Sequence, residues 1–226
     1  MRTCLPDCRA AWEDSYAKRQ NFLFHPTEEL VRFVARHLRR RVGLDEMVDV
    51  HPGAAGMRFL DVGCGIGRHL VFGHEMGFDV HGLDLSSLAV DLARTWLGRQ
   101  GIPDADRRVR QSDVRAMPWP DGFFQVAVSH GTFDSMPLEV AEAGIRELHR
   151  VTAPDALFYC DLICGDAREE VVQIAHEENT IQSYFDEEKI SRLFLGSFDC
   201  LERVLVERWG DAGPPARRWH LTLRRA

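Results

Sequence analysis

The chain has 226 residues, of which 45% are hydrophobic and 28% are charged, and its formal net charge is −7. These values suit one globular domain and argue against a nucleic-acid-binding protein, because contact with phosphates requires a local excess of lysine and arginine. No apolar run approaches the roughly 20 residues that cross a bilayer, and the first residues lack the apolar core of a signal peptide. We therefore expect a cytoplasmic protein without a membrane span.

The first 45 residues predict a cap of helices. The segment AAWEDSYAKRQ has a helical pattern, and a second helix begins after Pro26 with Thr27 as its cap. Three arginines at 39–41 precede Gly43. Cations complement the carbonyl end of a helix and glycine ends one, so this run predicts a helix terminus rather than a phosphate-binding patch.

From residue 57 onward, strand and helix patterns alternate. The strand candidates are MRFLDVG, DVHGLDLS, VRQSDV, FFQVAVSH, ALFYCDLI, CLERVLVERW and RRWHLTLRR. The alternation predicts a Rossmann-like, doubly wound α/β fold with a seven-stranded sheet. Only the Pro/Gly-rich break at 210–216 separates the last two strands, so we expect them to pair as a hairpin with an antiparallel last strand.

Six cysteines are scattered along the chain, at positions 4, 8, 64, 160, 164 and 200. In a reducing compartment such thiols act as small apolar side chains more often than as disulfides. Cys4 and Cys8 form a close pair, but tetrahedral zinc needs four ligands and no second pair follows. The sequence therefore predicts no metal site.

The segment RFLDVGCGIGRHL places glycines at 63, 65 and 67 between a predicted strand and a predicted helix. Glycine has no side chain and tolerates positive φ, so a ligand can approach the bare backbone of such a turn. Asp84 ends the next strand, where a carboxylate can accept both ribose hydroxyls of a nucleoside. Dinucleotide-binding folds need GxGxxG, whereas Arg68 stands where the last glycine would be. The pattern predicts a nucleoside site and argues against a nicotinamide dehydrogenase.

The turn DVGCGIGRHL, with GFDVHGLDLS after it, resembles the first two motifs of the class I S-adenosylmethionine-dependent methyltransferases that act on small molecules. The resemblance implies that Asp61 lies under the methionine amino group of the cofactor, Asp84 at its ribose and Leu85 beside its adenine. It also implies that Asp113 meets the adenine amino group. The implied cofactor-binding residues are Asp61, Gly63, Cys64, Gly65, Gly67, Arg68, Asp84, Leu85, Ser86, Asp113, Val114 and Ser129.

His130 follows the fourth predicted strand, where methyl group and acceptor meet in this family. A neutral imidazole near pH 7 could take a proton from the acceptor, so His130 is a candidate general base, and a histidine bonded to backbone is the alternative. The candidate substrate contacts are Trp12, Tyr16, His25 and Phe133, with His176 and Glu177 as further candidates. Simple packing is the alternative for the aromatic side chains.

The segment 164–185 is acidic and amphipathic. A solvated helix is the simpler interpretation, and an acidic lid over a cationic substrate is the alternative. We expect one domain over residues 1–226, with a helical cap (1–45), a cofactor-binding core (57–163), this insertion, and a C-terminal helix and hairpin (186–226).

The predicted activity is in-line transfer of a methyl group from S-adenosyl-L-methionine to a small-molecule acceptor. Such a reaction needs alignment and exclusion of water more than a covalent intermediate. Two alternatives remain: a non-catalytic module that binds the same cofactor, and a nicotinamide-dependent oxidoreductase. SHGTFD after the fourth strand lacks the Asn/Asp-Pro-Pro-aromatic motif of enzymes that methylate base amino groups. The acceptor and the oligomeric state are left open.

Overall fold

The computed structural model describes residues 8–173, 178–210 and 213–226, so Cys4, His176 and Glu177 lie outside the described residues. The helices are α1 (Cys8–Ala17), α2 (Glu28–His37), α3 (Arg68–Glu75), α4 (Ser87–Arg99), α5 (Ala105–Arg108), α6 (Leu138–Val151) and α7 (Glu187–Phe194). The strands are β1 (Arg39–Arg41), β2 (Met47–Asp49), β3 (Arg58–Val62), β4 (Asp79–Asp84), β5 (Val109–Gln111), β6 (Phe124–Ser129), β7 (Thr152–Ile163), β8 (Glu169–Val171), β9 (Ile181–Ser183), β10 (Phe198–Arg208) and β11 (Ala216–Arg225). Within the described ranges, no helix is long and apolar enough to cross a membrane.

Seven strands form one mixed sheet in the order β10–β11–β7–β6–β3–β4–β5. Strands β3 to β7 are parallel, and β11 is antiparallel to both of its neighbours. The predicted seven-stranded fold with an antiparallel last strand is confirmed. The chain runs outward from β3 through β4 to β5 and then returns to the other side of β3 with β6. The topological switch point, where open α/β sheets bind ligands, therefore lies between β3 and β6.

The apolar core lies on both faces of this sheet. Leu60 and Val62 of β3 belong to the cluster under α6 and α7, whereas Phe59 belongs to the cluster under α2, α3 and α4. Side chains alternate between the two faces of a strand, so Asp61 shares the face of Phe59. The carboxylate of Asp61 thus stands in a dry, apolar layer, where a charge is costly unless a partner compensates it.

The N-terminal region departs from the prediction after α2. Both predicted helices are present, but α2 ends at His37, and the arginines at 39–41 form a strand that pairs with β2. Arg39 donates to the carbonyl of Met76 at 2.9 Å and forms an ion pair with Asp49, also at 2.9 Å. These side chains tie the hairpin to the end of α3 instead of complementing the dipole of α2. Thr27 is the N-cap residue of α2, although its side chain makes no capping hydrogen bond.

The insertion at 164–185 is not helical in its described part, because β8 and β9 form an antiparallel hairpin. Its acids hold this hairpin in place. Glu169 accepts hydrogen bonds from the backbone N–H of Leu138 and the hydroxyl of Ser183, and Glu170 accepts one from the hydroxyl of Tyr184. Both carboxylates are engaged within the protein, so the described residues do not support an acidic lid over a cationic substrate.

Candidate functional site

A cavity of about 920 Å³ opens at the carboxyl ends of the parallel strands, beside the switch point. Its walls come from the loops after β3, β4, β5 and β6, from α1, and from β9 and β11. This volume and position are those of a small-molecule site. A shallower cavity of about 570 Å³ between α2 and the β1–β2 hairpin contains none of the predicted site residues. The larger cavity is therefore the candidate site.

The glycine loop runs from β3 to α3 along one wall of this cavity. Gly63 and Gly65 have positive φ values of 73° and 53°. A Cβ atom on Gly63 would lie 2.1 Å from Oγ1 of Thr132, and one on Gly65 would lie 2.8 Å from the hydroxyl oxygen of Tyr16. Both positions therefore require glycine for backbone conformation and for space. Cys64 between them also lines the cavity.

Asp84 ends β4 and lines the cavity next to the glycine loop. Its Oδ2 accepts a hydrogen bond from the N–H of Gly65 and its Oδ1 accepts one from the N–H of Ser86, both at 2.9 Å. Burial raises the pKa of this carboxyl to about 6; the two hydrogen bonds oppose that shift, and repulsion from Asp61 and Glu13 adds to it. Each oxygen keeps a second lone pair, so the carboxylate can also accept two hydroxyl groups.

Asp61 is buried beside the cavity, with 1% of its surface exposed. Neither of its carboxylate oxygens has a hydrogen-bond partner among the described residues. Nδ1 of His69 lies 3.5 Å from Oδ2, and Nε2 of the same ring lies 3.4 Å from the backbone nitrogen of Thr27. His69, which lines the cavity, thus contributes to the site. A buried carboxylate that makes no hydrogen bond among the described residues, and has only the imidazole of His69 at 3.5 Å beside it, is the kind of group that a cationic ligand stabilises.

The adenine side of the predicted site is formed by Leu85, Asp113 and Val114, all of which line the cavity. Asp113 is held by Arg115, whose Nε and Nη2 donate to its two oxygens at 2.9 and 2.7 Å. These hydrogen bonds keep the pKa of Asp113 below its ordinary value. Asp113 therefore faces the cavity with its charge already compensated.

Two residues predicted to bind the cofactor, Gly67 and Ser86, lie at the N-termini of helices. Gly67 does not line the cavity. It precedes α3 and has a φ of 96°. A Cβ atom on Gly67 would lie 3.2 Å from side-chain atoms of Ala93 and Leu97 on α4. Ser86 is fully buried and caps α4 by accepting a hydrogen bond from the N–H of Ala89. The structure gives these two residues roles in helix packing and helix capping, and their contact with a cofactor stays a prediction.

Three further predicted contacts also lie away from the cavity wall. Phe133 is fully buried and packs edge-on against Phe158, because the loop after β6 turns this side chain into the core. Ser129 is fully buried at the end of β6. His25 is exposed, and only its carbonyl approaches the site by accepting a hydrogen bond from Arg68 at 3.2 Å. Arg68 itself lines the cavity as predicted.

Helix α1 covers the glycine loop and brings Trp12 and Tyr16 to the cavity. Glu13 fastens this helix to the start of α4: its Oε1 accepts from the backbone and hydroxyl of Ser87 at 2.6 and 2.7 Å, and its Oε2 accepts from the hydroxyl of Ser86 at 2.9 Å. A carboxylate is stabilised at a helix N-terminus. Sequence reasoning missed Glu13, because its partners lie 73 and 74 positions further along the chain.

Charged side chains form the opposite end of the cavity, which we call the polar floor; it consists of His130, Asp134, Asp161 and Arg218. Arg218 donates from Nη2 to Asp134 at 2.6 Å and from Nε to Asp161 at 2.8 Å. Although burial opposes its charge, the two carboxylates raise the pKa of Arg218 further above its ordinary value. Arg218 lines the cavity, and no motif in the sequence indicated it.

His130 lines the cavity, but both of its ring nitrogens are engaged. Nη2 of Arg68 lies 3.2 Å from Nδ1, and a guanidinium can only donate, so Nδ1 is the acceptor. Nε2 lies 3.3 Å from Oδ2 of Asp161. Burial lowers the pKa of His130 to about 3. Attraction to Asp161 opposes this shift, and repulsion from Arg218 and Arg68 adds to it. Such an imidazole is a poor base near neutral pH, so the geometry gives the predicted catalytic role no support.

Comparison with known proteins shows which family this fold and site resemble. Residues 59–155 match the family model described as a methyltransferase domain. A 2-heptyl-1-hydroxyquinolin-4(1H)-one methyltransferase from Mycobacteroides abscessus is 30% identical over 97 residues, which are 43% of this chain and 42% of that protein. Matches to the curated relatives span between 30% and 42% of the length of those proteins.

Solved structures share the architecture over most of the chain. Magnesium protoporphyrin IX methyltransferase from Synechocystis, with bound S-adenosylmethionine, aligns over 100% of both chains with a TM-score of 0.68 and 12% identity. The 1,6-didemethyltoxoflavin-N1-methyltransferase from Burkholderia thailandensis, solved with bound 1,6-didemethyltoxoflavin and S-adenosylhomocysteine, aligns over 96% of this chain and 87% of that chain with a TM-score of 0.67 and 18% identity. At such identities the likeness shows the fold. The methyltransferase-domain model adds a likeness to that family over residues 59–155, which are less than half of the chain.

Proposed function

We propose that this protein binds S-adenosyl-L-methionine in the half of the cavity next to the glycine loop and transfers its methyl group to a small-molecule acceptor. We call this region the cofactor half; it is formed by Gly63, Cys64, Gly65, Asp84, Leu85, Asp113 and Val114, with Asp61 buried beside it. The observation that carries the proposal is the buried carboxylate of Asp61, whose oxygens have no hydrogen-bond donors among the described residues. A methionine ammonium group would bring these oxygens a positive charge and hydrogen-bond donors.

The other groups of this half fit the rest of the same molecule. S-adenosylmethionine, when bound, supplies a methyl group on a positively charged sulfur. Asp84 has free lone pairs for the ribose hydroxyls, and the side chains of Leu85 and Val114 offer apolar contact to the adenine. Trp12 and Tyr16 on α1 line the cavity beside this half, where they would limit the access of water to the bound cofactor. The protein's contribution to the reaction is then alignment and desolvation, which need no covalent intermediate.

Several relatives support a small-molecule acceptor through their own names, which refer to a quinolone, a sterol and a hydroquinone. The net charge of −7 agrees with this class, because it disfavours binding to nucleic acid. A cytoplasmic location remains a prediction, as does the organisation of the whole chain as one domain.

Calorimetric titration with S-adenosylmethionine, S-adenosylhomocysteine and NAD⁺ tests the cofactor assignment. We expect binding of the first two and none of NAD⁺. Asp61→Asn removes the charge that faces the ammonium group and keeps the volume, so both adenosyl ligands should bind at least about tenfold more weakly to it. Asp91→Asn is the matched control, because this acid on α4 is exposed, pairs with Arg94 at 3.6 Å and lies outside the cavity lining. NAD⁺ binding in place of the adenosyl ligands would refute the proposal.

A second measurement separates an enzyme from a non-catalytic binding module. The protein is incubated with S-adenosylmethionine and a panel of small aromatic and aliphatic acceptors, and release of S-adenosylhomocysteine is followed. A member of the panel that raises the rate above the acceptor-free rate supports transfer. Tight cofactor binding without release over the whole panel would favour the non-catalytic module.

A further inference from the structure

The part of the cavity on the β6–β7–β11 side of the switch point differs in chemistry from the cofactor half, and we call it the acceptor half. Its described lining consists of His130, Ser135, Met136, Pro137, Val140, Ile181 and Arg218. Four of these side chains are apolar and form walls, while His130 and Arg218 belong to the polar floor. A molecule that fits this half has an apolar body with one polar end.

Arg218 is the charged side chain that this half exposes, although the carboxylates of Asp134 and Asp161 behind it give the polar floor a net charge of −1. Among the described residues that line the cavity, the acids are Asp84 and Asp113, and both lie in the cofactor half. The side chain of Arg218 is 30% exposed, whereas its partners Asp134 and Asp161 are 1% and 0% exposed behind it. A ligand in the acceptor half therefore meets a guanidinium and no exposed carboxylate. Desolvation between apolar walls strengthens such a charge interaction.

The described lining of this half also lacks a group that could remove a proton. Nδ1 of His130 accepts from Arg68, and Nε2 faces Asp161, which already accepts from Arg218. The hydroxyl of Ser135 donates to the carbonyl of Gly131 at 2.9 Å. An acceptor that had to lose a proton to the protein would find no free basic atom among these side chains.

From these three observations we propose that the acceptor enters as an anion. Its acidic oxygen, a carboxylate or an acidic hydroxyl that is ionised in solution, lies on Arg218, its apolar body lies against Met136, Val140 and Ile181, and that oxygen receives the methyl group. The inference rests on the proposed methyl transfer and names its substrate class. The oxygen forms a bond to the methyl carbon while the carbon–sulfur bond breaks and leaves its electron pair on sulfur. The charges of donor and acceptor cancel, and no proton remains to be removed.

Binding to the protein saturated with S-adenosylhomocysteine tests the charge preference without any need for turnover. The probes are matched pairs of one shape: 2-naphthoate against 2-naphthamide, and 4-nitrophenol, which is ionised above neutral pH, against 4-methylphenol, whose pKa is about 10 like that of tyrosine. We expect each anion to bind at least about tenfold more tightly than its neutral partner, with a preference that falls as salt rises. Equal binding within both pairs, or no binding of either anion, would overturn the inference.

A charge-conserving variant assigns the preference to Arg218. Arg218→Gln alone would leave two buried carboxylates without their cation, so it is combined with Asp134→Asn, which keeps the net charge of the polar floor. This double variant should keep its affinity for S-adenosylhomocysteine and lose most of the anion preference, and Arg218→Lys should retain part of it. Arg217→Gln is the matched control, because this neighbouring arginine is exposed and paired with Glu207 at 2.8 Å. A preference that survives in the double variant would refute the assignment.

The pH dependence of turnover distinguishes an ionised acceptor from a base on the protein. For two accepted substrates of different acidity, the rate at limiting substrate should rise through the pKa of each free substrate. A rise at one common pH for both would reveal a protein base and contradict the inference. His176→Ala is included because this residue lies outside the described ranges, and loss of the rise in that variant would likewise contradict it. Failure of S-adenosylhomocysteine to bind would instead refute the proposed function itself.

Discussion

The cofactor half and the acceptor half of the cavity are assembled in different ways. The cofactor half comes from short segments in which a strand passes directly into a loop, and much of its surface is backbone or the first side chain after a strand. The acceptor half combines the start of α6, the β8–β9 insertion and β11, so its neighbours in space are far apart in the chain. If the two halves bind donor and acceptor as proposed, local structure recognises the donor and tertiary structure recognises the acceptor.

The largest expected effect concerns the rigidity of the glycine loop. Gly63→Ala introduces a Cβ at positive φ and 2.1 Å from Oγ1 of Thr132, so it should lower the free energy of unfolding by about 3 kcal/mol. Gly131→Ala in the loop after β6 has φ 65° but meets nothing within 4 Å, and it should cost only about 1 kcal/mol. Denaturant unfolding of both variants measures the difference. Equal costs would mean that the loop yields to the new side chain.

Removal of the predicted ribose acceptor should come next in size. Asp84→Ala deletes a charged acceptor that the backbone of the glycine loop also uses, so binding of S-adenosylhomocysteine should weaken by about 2 kcal/mol. Calorimetry on the folded variant measures the change in affinity. The double variant of the polar floor, Arg218→Gln with Asp134→Asn, serves as the comparison from the acceptor half. An unchanged affinity would remove Asp84 from the cofactor site.

The contact that fastens α1 should have a smaller effect. Glu13→Gln weakens the hydrogen bonds to the start of α4, so α1 opens more often and S-adenosylhomocysteine should bind about tenfold more weakly, mainly through faster dissociation. Hydrogen exchange in α1 should speed up in the same variant. Asp14→Asn, next to it but paired on the surface with Lys18, is the control and should change neither quantity. Slower dissociation or unchanged exchange would speak against a fastening role.

Cofactor binding should also depend on pH through Asp84. In the free protein the pKa of this carboxyl is about 6, and hydroxyl donors from a bound ribose stabilise its ionised form and lower that pKa. Binding therefore releases a proton, and affinity is full above the free pKa and falls as pH drops through it. Between pH 7 and 5.5 we expect a loss of about fourfold. Asp84→Asn should abolish this dependence, and a loss that persists in that variant would point to another group.

The smallest effect tests whether the halves act independently. Val140→Ala shortens a wall of the acceptor half, so it should change affinity for S-adenosylhomocysteine by less than about twofold and weaken binding of 2-naphthoate by about threefold. Paired titrations of the same protein sample measure both values. A larger effect on the cofactor than on the anion would show that the two halves are coupled.

The different assembly of the cofactor half and the acceptor half also explains which parts of the fold and the site can be predicted from the sequence. The seven strands, Asp84, and the glycines at 63 and 65 follow from local pattern, because a strand, a glycine turn and a helix are read within a dozen residues. Arg218, Glu13 and Asp161 escape such reasoning, because their importance comes from partners brought near by the sheet. Their residue types alone do not distinguish them from surface charges.

Two predicted contacts lack support in the structure for physical reasons as well. Phe133 follows a strand end, which predicts a substrate contact, but the geometry of the loop that turns it into the core does not follow from residue spacing. The prediction for His130 rests on the ordinary pKa of imidazole, whereas burial, together with Arg218 and Arg68, lowers the pKa of this ring. The insertion at 164–185 is a third case. Its acidic pattern fits a helix and an extended hairpin equally well, and only the contacts of Glu169 with Leu138 and of Glu170 with Tyr184 distinguish the two.

The position of β11 has a consequence for the stability of the sheet. This strand enters between β7 and β10, and Arg218 reaches Asp134 across 84 positions of sequence. Loss of β11 would leave the edges of β7 and β10 unpaired and the carboxylates of Asp134 and Asp161 buried without their cation. We therefore expect truncation before residue 216 to promote association of chains through the exposed strand edges, instead of affecting the acceptor half alone.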